Sequence, residues 1–252
     1  MTPLPPIRAL SRGIAVLQAL NRNGALTVSE LCDITHLPYA TVSRVLFTLI
    51  GDGFVEMEPT RKRYRVTALV QTLAAGYRDD GRMDAAAAVP LGMLSRETGC
   101  PASFSTRVAA SMVIRLSTHA SSPLAVNMLT RGHALPVLAS PSGLALLAAM
   151  RFDERADLMR YLLDIADERG ANADLCLLYR AIALTRARGH AVRRARQPDA
   201  TSSIAVAVIG ADGVMGAVTL AFATDTVPFE EAERRFLPPL RRAASALAAA
   251  LS

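Results

Sequence analysis

The chain has 252 residues, enough for one large domain or two, and 51% of them are apolar, so ordinary globular cores can form. Twenty-eight basic residues against 22 acidic ones leave a net charge of +6 and a pI near 9.8, which favours a polyanionic partner without requiring one. Cys32, Cys100 and Cys176 are far apart and without CxxC spacing, the alanine-rich runs are all interrupted, and MTPLPPIRAL lacks the basic-then-apolar order of a signal peptide; reduced core thiols, no membrane span and a cytoplasmic protein are expected.

After a proline-punctuated tail, Ile7, Leu10, Ile14 and Leu17 recur at helical spacing and predict a helix ending near Gly24. Its polar side carries Arg8 and Arg12, either solvated charges or phosphate contacts. A second helix should start at Thr27 and Ser29, with Glu30 placed for a capping box, and stop at His36-Leu37-Pro38, because a residue before proline is pushed out of helical geometry. Pro38 can open a third helix with Val42, Val45, Leu46, Leu49 and Ile50 on one apolar stripe. The opposite face carries Ala40, Ser43, Arg44, Phe47 and Thr48, short and weakly charged, as suits a helix entering a major groove about 12 Å wide. Phe47 on this face either touches a thymine methyl or packs against the first helix. Gly51 and Gly53 break the helix. Val55, Met57, Tyr64 and Val66 then alternate as two strands around Pro59-Thr60, and Arg61, Lys62, Arg63 and Arg65 make the hairpin cationic.

Residues 1–67 therefore read as a winged helix-turn-helix DNA-binding domain. Tyr39, Thr41, Ser43, Arg44 and Thr48 are expected at the groove of double-stranded operator DNA, and Thr27, Ser29, Arg61, Lys62 and Arg63 at phosphates. Charge density agrees: up to Arg82 there are ten basic residues against seven acidic, beyond it eighteen against fifteen, so the smaller part carries the same excess.

Residues 68–82 predict a linker helix, with Leu69, Leu73 and Tyr77 as its stripe, ending at Gly81. That stripe needs cover, either from a second copy of the chain, which would supply two recognition helices for two half-sites, or from the following domain. Residues 83–252 change pattern. AAAAVPLGMLSRETG predicts a helix; CPASFSTRV and SMVIRLSTHA predict paired strands joined at Ala109-Ala110; Leu124 to Leu129 can add a third. A helix follows in SPSGLALLAAM, capped by Ser140 or Ser142, then helices over Asp153 to Ile165 and Ala173 to Arg188. SSIAVAVIG and VMGAVTLAFAT form a hairpin around Asp212-Gly213, and Phe229 to Leu251 is a closing amphipathic helix. The order predicts an α+β domain with helices over a mainly antiparallel sheet.

On RALSRGIAVLQAL, LTVSELCDITHLPYATVSRVLFTLIGDGFV, YRVT, GHALPVLASPSGLALLA, SSIAVAVIG and VMGAVTLAF, the chain resembles the IclR family of bacterial transcription regulators over nearly its whole length. GYRDD, VIRLSTH, LPVLASPSGLALLA and SIAVAV are most similar to the family's activators of hydroxyphenylpropionate catabolism. The resemblance implies a GAF-like effector-binding domain, a homodimer or dimer of dimers, and a small organic acid, often aromatic, as effector. Carried over by motif, the pocket is Ser203 and Ala205, Thr219 and Ala221, and Ala139, Ser140 and Ser142. Ala221 and Phe222 stand where the family usually has small polar residues, which makes an apolar or aromatic effector more plausible. Arg193, Arg194 and Arg196 stand where acidic residues are common, and either favour an anion at the pocket mouth or lie in a solvated loop.

Catalytic chemistry finds no support. Ser142 lacks a GxSxG setting and reads as a capping serine whose helix end can also hold a carboxylate. Arg115 and His119, four apart on an expected strand, would face one side and either bind a carboxylate or phenol or form an ordinary exposed face. The histidines at 36, 119, 133 and 190 have no metal-ligand spacing, and neither GxGxxG nor a P-loop occurs, so no metal and no cofactor is expected. The expected function is a ligand-responsive DNA-binding regulator of a catabolic operon; the alternatives are a constitutive DNA-binding regulator and an enzyme acting on a small acid.

Overall fold

A computed structural model describes residues 7–77, 81–122, 129–168, 174–195, 201–223 and 227–251. It divides into two compact units, Met1–Asp79 and Asp80–Ser252. No described helix is long and apolar enough to cross a membrane.

The first unit holds three helices and a hairpin. Helix α1 (Arg8–Asn23) ends where Gly24 takes φ 75°, a conformation that costs glycine little. Helix α2 (Val28–Thr35) begins in the expected capping box: the Thr27 N–H donates to Glu30 Oε2 at 2.7 Å, and the Glu30 N–H donates to Thr27 Oγ1 at 3.3 Å. His36 in the left-handed region closes it, and Pro38 stands as N-cap of α3 (Tyr39–Gly51). Strands β1 (Val55–Glu58) and β2 (Arg63–Val66) pair antiparallel, Val55 opposite Val66 and Glu58 opposite Arg63, and Leu26 bridges to Tyr64 on the wing's outer edge. Val16, Leu20, Leu26, Leu31, Val42, Leu46 and Val55 form the core. Beyond the wing, Ala68–Leu73 is a 3-10 helix followed by turns to Tyr77, shorter and tighter than the expected linker α-helix. Leu69, Leu73 and Tyr77 all stay more than a third exposed, too little burial to stabilise a longer α-helical run. The expected end of that helix falls on residues 78–80, outside the described residues.

The second unit is α+β, as the element order predicts. Its six strands lie in the order β5-β4-β3-β8-β7-β6, every pairing antiparallel. They are β3 (Ala102–Val108), β4 (Ser111–Ser117), β5 (Ala134–Pro136), β6 (Ala191–Arg193), β7 (Thr201–Gly210) and β8 (Gly213–Ala223). On one face lie α4 (Arg82–Thr98) and α8 (Phe229–Leu251), which share a core with Phe104, Ile204, Leu220 and Phe222. On the other lie α5 (Pro141–Ala149), α6 (Phe152–Glu168) and α7 (Leu175–Arg188), packed with Ala205 and Ala217 of the sheet. Strands β5 and β6 escape sequence reading because three-residue edge strands are too short to display alternation. The expected strand at Leu124 to Leu129 lies, but for Leu129, outside the described residues, as does the expected start of α7 at Ala173.

Candidate nucleic-acid interface and effector face

Helix α3 buries Val42 and Leu46 and half-buries Val45 and Leu49, while Ile50, expected on the same stripe, is 40% exposed near the helix end. The outward side carries Tyr39, 63% exposed, with Ala40, Arg44 and Thr48 also exposed and Thr41 and Ser43 half-buried at its margins. Thr48 Oγ1 donates back to the Arg44 carbonyl at 3.1 Å. Phe47 does not pack against the first helix: it is 82% exposed. Arg8 and Arg12 on α1, Ser29 on α2, and Arg61 and Lys62 at the wing tip are exposed, and Lys62 takes φ 49° to turn the tip.

Two residues expected at phosphates are engaged inside the head. Arg63 donates to the Ala25 carbonyl at 2.7 Å and to Glu30 Oε1 at 3.1 Å, tying the wing to the start of α2. Thr27 spends its hydroxyl in the capping box, receiving the Glu30 N–H and donating to Glu30 Oε2 at 2.9 Å. The Thr27 N–H, its hydroxyl and the Arg63 guanidinium hold the Glu30 carboxyl below its ordinary range. Arg65 is paired with Glu56 at 2.6 Å on the wing's exposed side.

In the second unit, register assembles a face of small side chains. Thr219 of β8 stands opposite Ala205 of β7 and Ser103 of β3, and Ala221 stands opposite Ser203. Residues directly opposite in a sheet share a face, so Ser103, Thr219, Ala205, Ala221 and Ser203 point to the side covered by α5. Ala102, Phe104, Leu220 and Phe222 point to the other. Phe222 is buried against Phe229 and Phe236, so it does not line the same face as Thr219, contrary to the sequence expectation. The Thr219 hydroxyl is buried and has no hydrogen-bond partner among the described residues. Ser140 caps α5, accepting the Gly143 N–H at 3.2 Å and the Ser142 hydroxyl at 3.3 Å. Both serines are buried, whereas Ala139 is exposed. Ser103 and Ser105 were not singled out from sequence; their alternation with Ala102 and Phe104 was the available signal.

Arg115 and His119 do not share a strand. Strand β4 ends at Ser117, and His119 is buried in a one-turn 3-10 helix with Nδ1 2.8 Å from Ser117 Oγ. Arg115 falls at a bulge opposite β3, where its Nε donates to Thr106 Oγ1 at 2.8 Å. Burial, and then the neighbouring His133, push the His119 pKa below the ordinary imidazole value. Arg193 donates to Thr201, and Arg194 pairs with Glu230 at 3.0 Å and lies 4.2 Å over the Phe229 ring, so both are used within the fold. Arg196 lies outside the described residues. Burial raises the Cys100 pKa to about 11, which makes that thiol an inert core group.

A winged helix-turn-helix followed by an α+β unit is the architecture of a DNA-binding transcription regulator. The IclR helix-turn-helix domain model matches residues 9–59, and the model of the bacterial transcriptional regulator IclR C-terminal domain matches residues 78–249. The chain belongs to the IclR family of bacterial transcriptional regulators. It is 29% identical over 239 residues to the Pca regulon regulatory protein of Pseudomonas putida, covering 92% of this chain and 80% of that protein. An IclR family transcriptional regulator from Brucella abortus shares the fold with a TM-score of 0.65 at 22% identity, covering 98% of this chain and 94% of that one. An IclR homologue from Microbacterium hydrocarbonoxydans, crystallised with 4-hydroxybenzoate, does so with a TM-score of 0.61 at 21% identity, covering 96% and 98%.

Proposed function

We propose that this protein regulates a catabolic operon, binding operator DNA through α3 and the wing and sensing a small aromatic acid on the α5 side of the second unit's sheet. The observation that carries the sensing role is the buried Thr219 hydroxyl, without a protein partner among the described residues, in a row with Ser103 and Ala205. A buried hydroxyl left unpaired costs about 1–3 kcal/mol, and a ligand hydroxyl or carboxylate would recover it. The neighbours on the same face are small, and the buried Ser140 at the start of α5 adds a hydroxyl for a carboxylate. Two relatives support the class: one regulates the Pca regulon, and one was crystallised with 4-hydroxybenzoate. The acting form is a homodimer or dimer of dimers, which would set two heads on two half-sites, and the exposed Ile7, Leu10 and Ile14 of α1 offer apolar surface for pairing.

A thermal-shift screen of the full chain against 4-hydroxybenzoate, other aromatic acids and aliphatic acids tests the reading. A ligand at about 100 times its Kd adds about 2.7 kcal/mol to the folded state, enough to raise the melting temperature. Thr219→Val should melt no lower than the parent and lose most of the ligand-induced shift. Indifference of the parent to every acid, or an undiminished shift in the valine variant, rejects the proposed sensor site.

A further inference from the structure

We propose that Phe47 reads bases: α3 presents its ring to the C5-methyl group of thymine in the major groove. The inference rests on the DNA-binding reading above and adds to it the base that the head selects.

The inward direction of α3 is set by Val42 and Leu46, with Val45 and Leu49 beside them. At about 100° per residue, the positions pointing directly away from that stripe are Ala40, Arg44 and Phe47. Phe47 is therefore central on the outward face, not a stray apolar residue at its edge. It is 82% exposed, more than any other large apolar side chain among the described residues, and belongs to none of the apolar cores. A phenyl ring held in water forgoes the stabilisation that burial would bring, so it does nothing for the isolated head. Its surroundings suit the floor of a groove rather than a protein interface. Ala40, two turns earlier, adds only a methyl, so the helix can approach closely. Ser43 and Arg44, four and three residues before the ring, are donors of the kind that reach base edges.

Of the groups displayed in the major groove, the thymine methyl is the apolar one, whereas Arg44 suits the acceptors of guanine. Phe47 lies three residues beyond Arg44, about 4.5 Å along the axis. That is comparable to one base step of about 3.4 Å. The pair would read adjacent steps, a guanine and a thymine.

The test begins by recovering preferred duplexes from a random-sequence pool with the full-length protein and with Phe47→Ala. The best parental duplex is then rebuilt with single thymine-to-deoxyuridine replacements, which delete only the methyl, and titrated in gel shifts. Phe47 touches no core, so the variant should melt with the parent. Deoxyuridine at one or two positions should weaken parental binding about fourfold, the worth of one buried methyl-sized group. It should leave Phe47→Ala unaffected. That variant should also stop enriching thymine there, with its salt slope unchanged because no phosphate contact is lost. Identical sequences and affinities for both proteins overturn the proposal, as does an equal deoxyuridine penalty in both. A changed oligomeric state of Phe47→Ala with unaltered base preference overturns it in favour of a protein contact. A parent that enriches no duplex removes the DNA-binding reading itself, an outcome distinct from the others.

Discussion

Arg61 and Arg63 stand two residues apart in the wing, yet they do different work. Arg61 is exposed at the tip, whereas Arg63 reaches across to Ala25 and Glu30, 38 and 33 residues away in sequence. Arg61→Ala should keep the parental melting temperature and flatten the salt dependence of DNA binding by about one unit. Arg63→Ala should lower the melting temperature of the head and change that slope little; melts and gel shifts at several salt concentrations read both, and the reverse pattern would contradict the assignment. Glu30 gives a pH signature. Its folded-state pKa is depressed, so the unfolded chain takes up the proton first as pH falls. The stabilisation is complete above the ordinary carboxylate value of 4.5 and is lost as pH drops through the lower folded-state value. Glu30→Gln keeps a hydrogen-bonding cap but not the charge, so the difference between its melting temperature and the parent's should be constant near neutrality and close in acid. A difference independent of pH would deny the carboxylate charge, held chiefly by the Thr27 N–H and hydroxyl and then by Arg63, its part. A sequence displays the charge of Arg63 but not its distant partner, which is why a phosphate role was expected of it.

At the scale of elements, local chemistry was legible wherever a few neighbouring residues settle the backbone. The Thr27–Glu30 capping box, the Ser140 cap and the left-handed glycines 24, 99 and 189 all stand where their helices begin or end. In the linker only Ala68–Leu73 coils, as a 3-10 helix, because helical spacing alone does not stabilise a longer helix whose apolar stripe stays largely exposed. Gly143 has a reason no local pattern reveals: a Cβ there would sit 2.0 Å from the Val137 carbonyl oxygen, backbone that cannot easily move. Gly143→Ala should destabilise the second unit by about 1–3 kcal/mol or more through overpacking. Chemical denaturation measures this; an unchanged midpoint would mean α5 sits further from Val137.

At the scale of the whole molecule, the two units carry separate apolar cores. The head has few buried side chains in about seventy residues, so each counts heavily. Leu46, 2% exposed on α3, should cost about 2–5 kcal/mol when cut to alanine, a large fraction of what a small domain possesses. Leu46→Ala should therefore abolish DNA binding while the second unit, whose clusters contain no head residue, retains its ligand-induced thermal shift. Loss of both together would show that the cores unfold as one.

The amino-acid sequence alone determined the order and class of the longer elements, the helix caps and turns, and the family, because each depends on residues a few positions apart whose conformational preferences act locally. The tertiary structure decided which side chains were already committed and which were free. Strand register set Thr219 beside Ser103 and Ala205 and turned Phe222 to the opposite face. Contacts across more than thirty residues drew Arg63 into the head, and the packing of three helices left Phe47 facing outward. Those outcomes are set by long-range pairing, where a shift of one residue in register reverses every side chain, and no short stretch of sequence contains both partners.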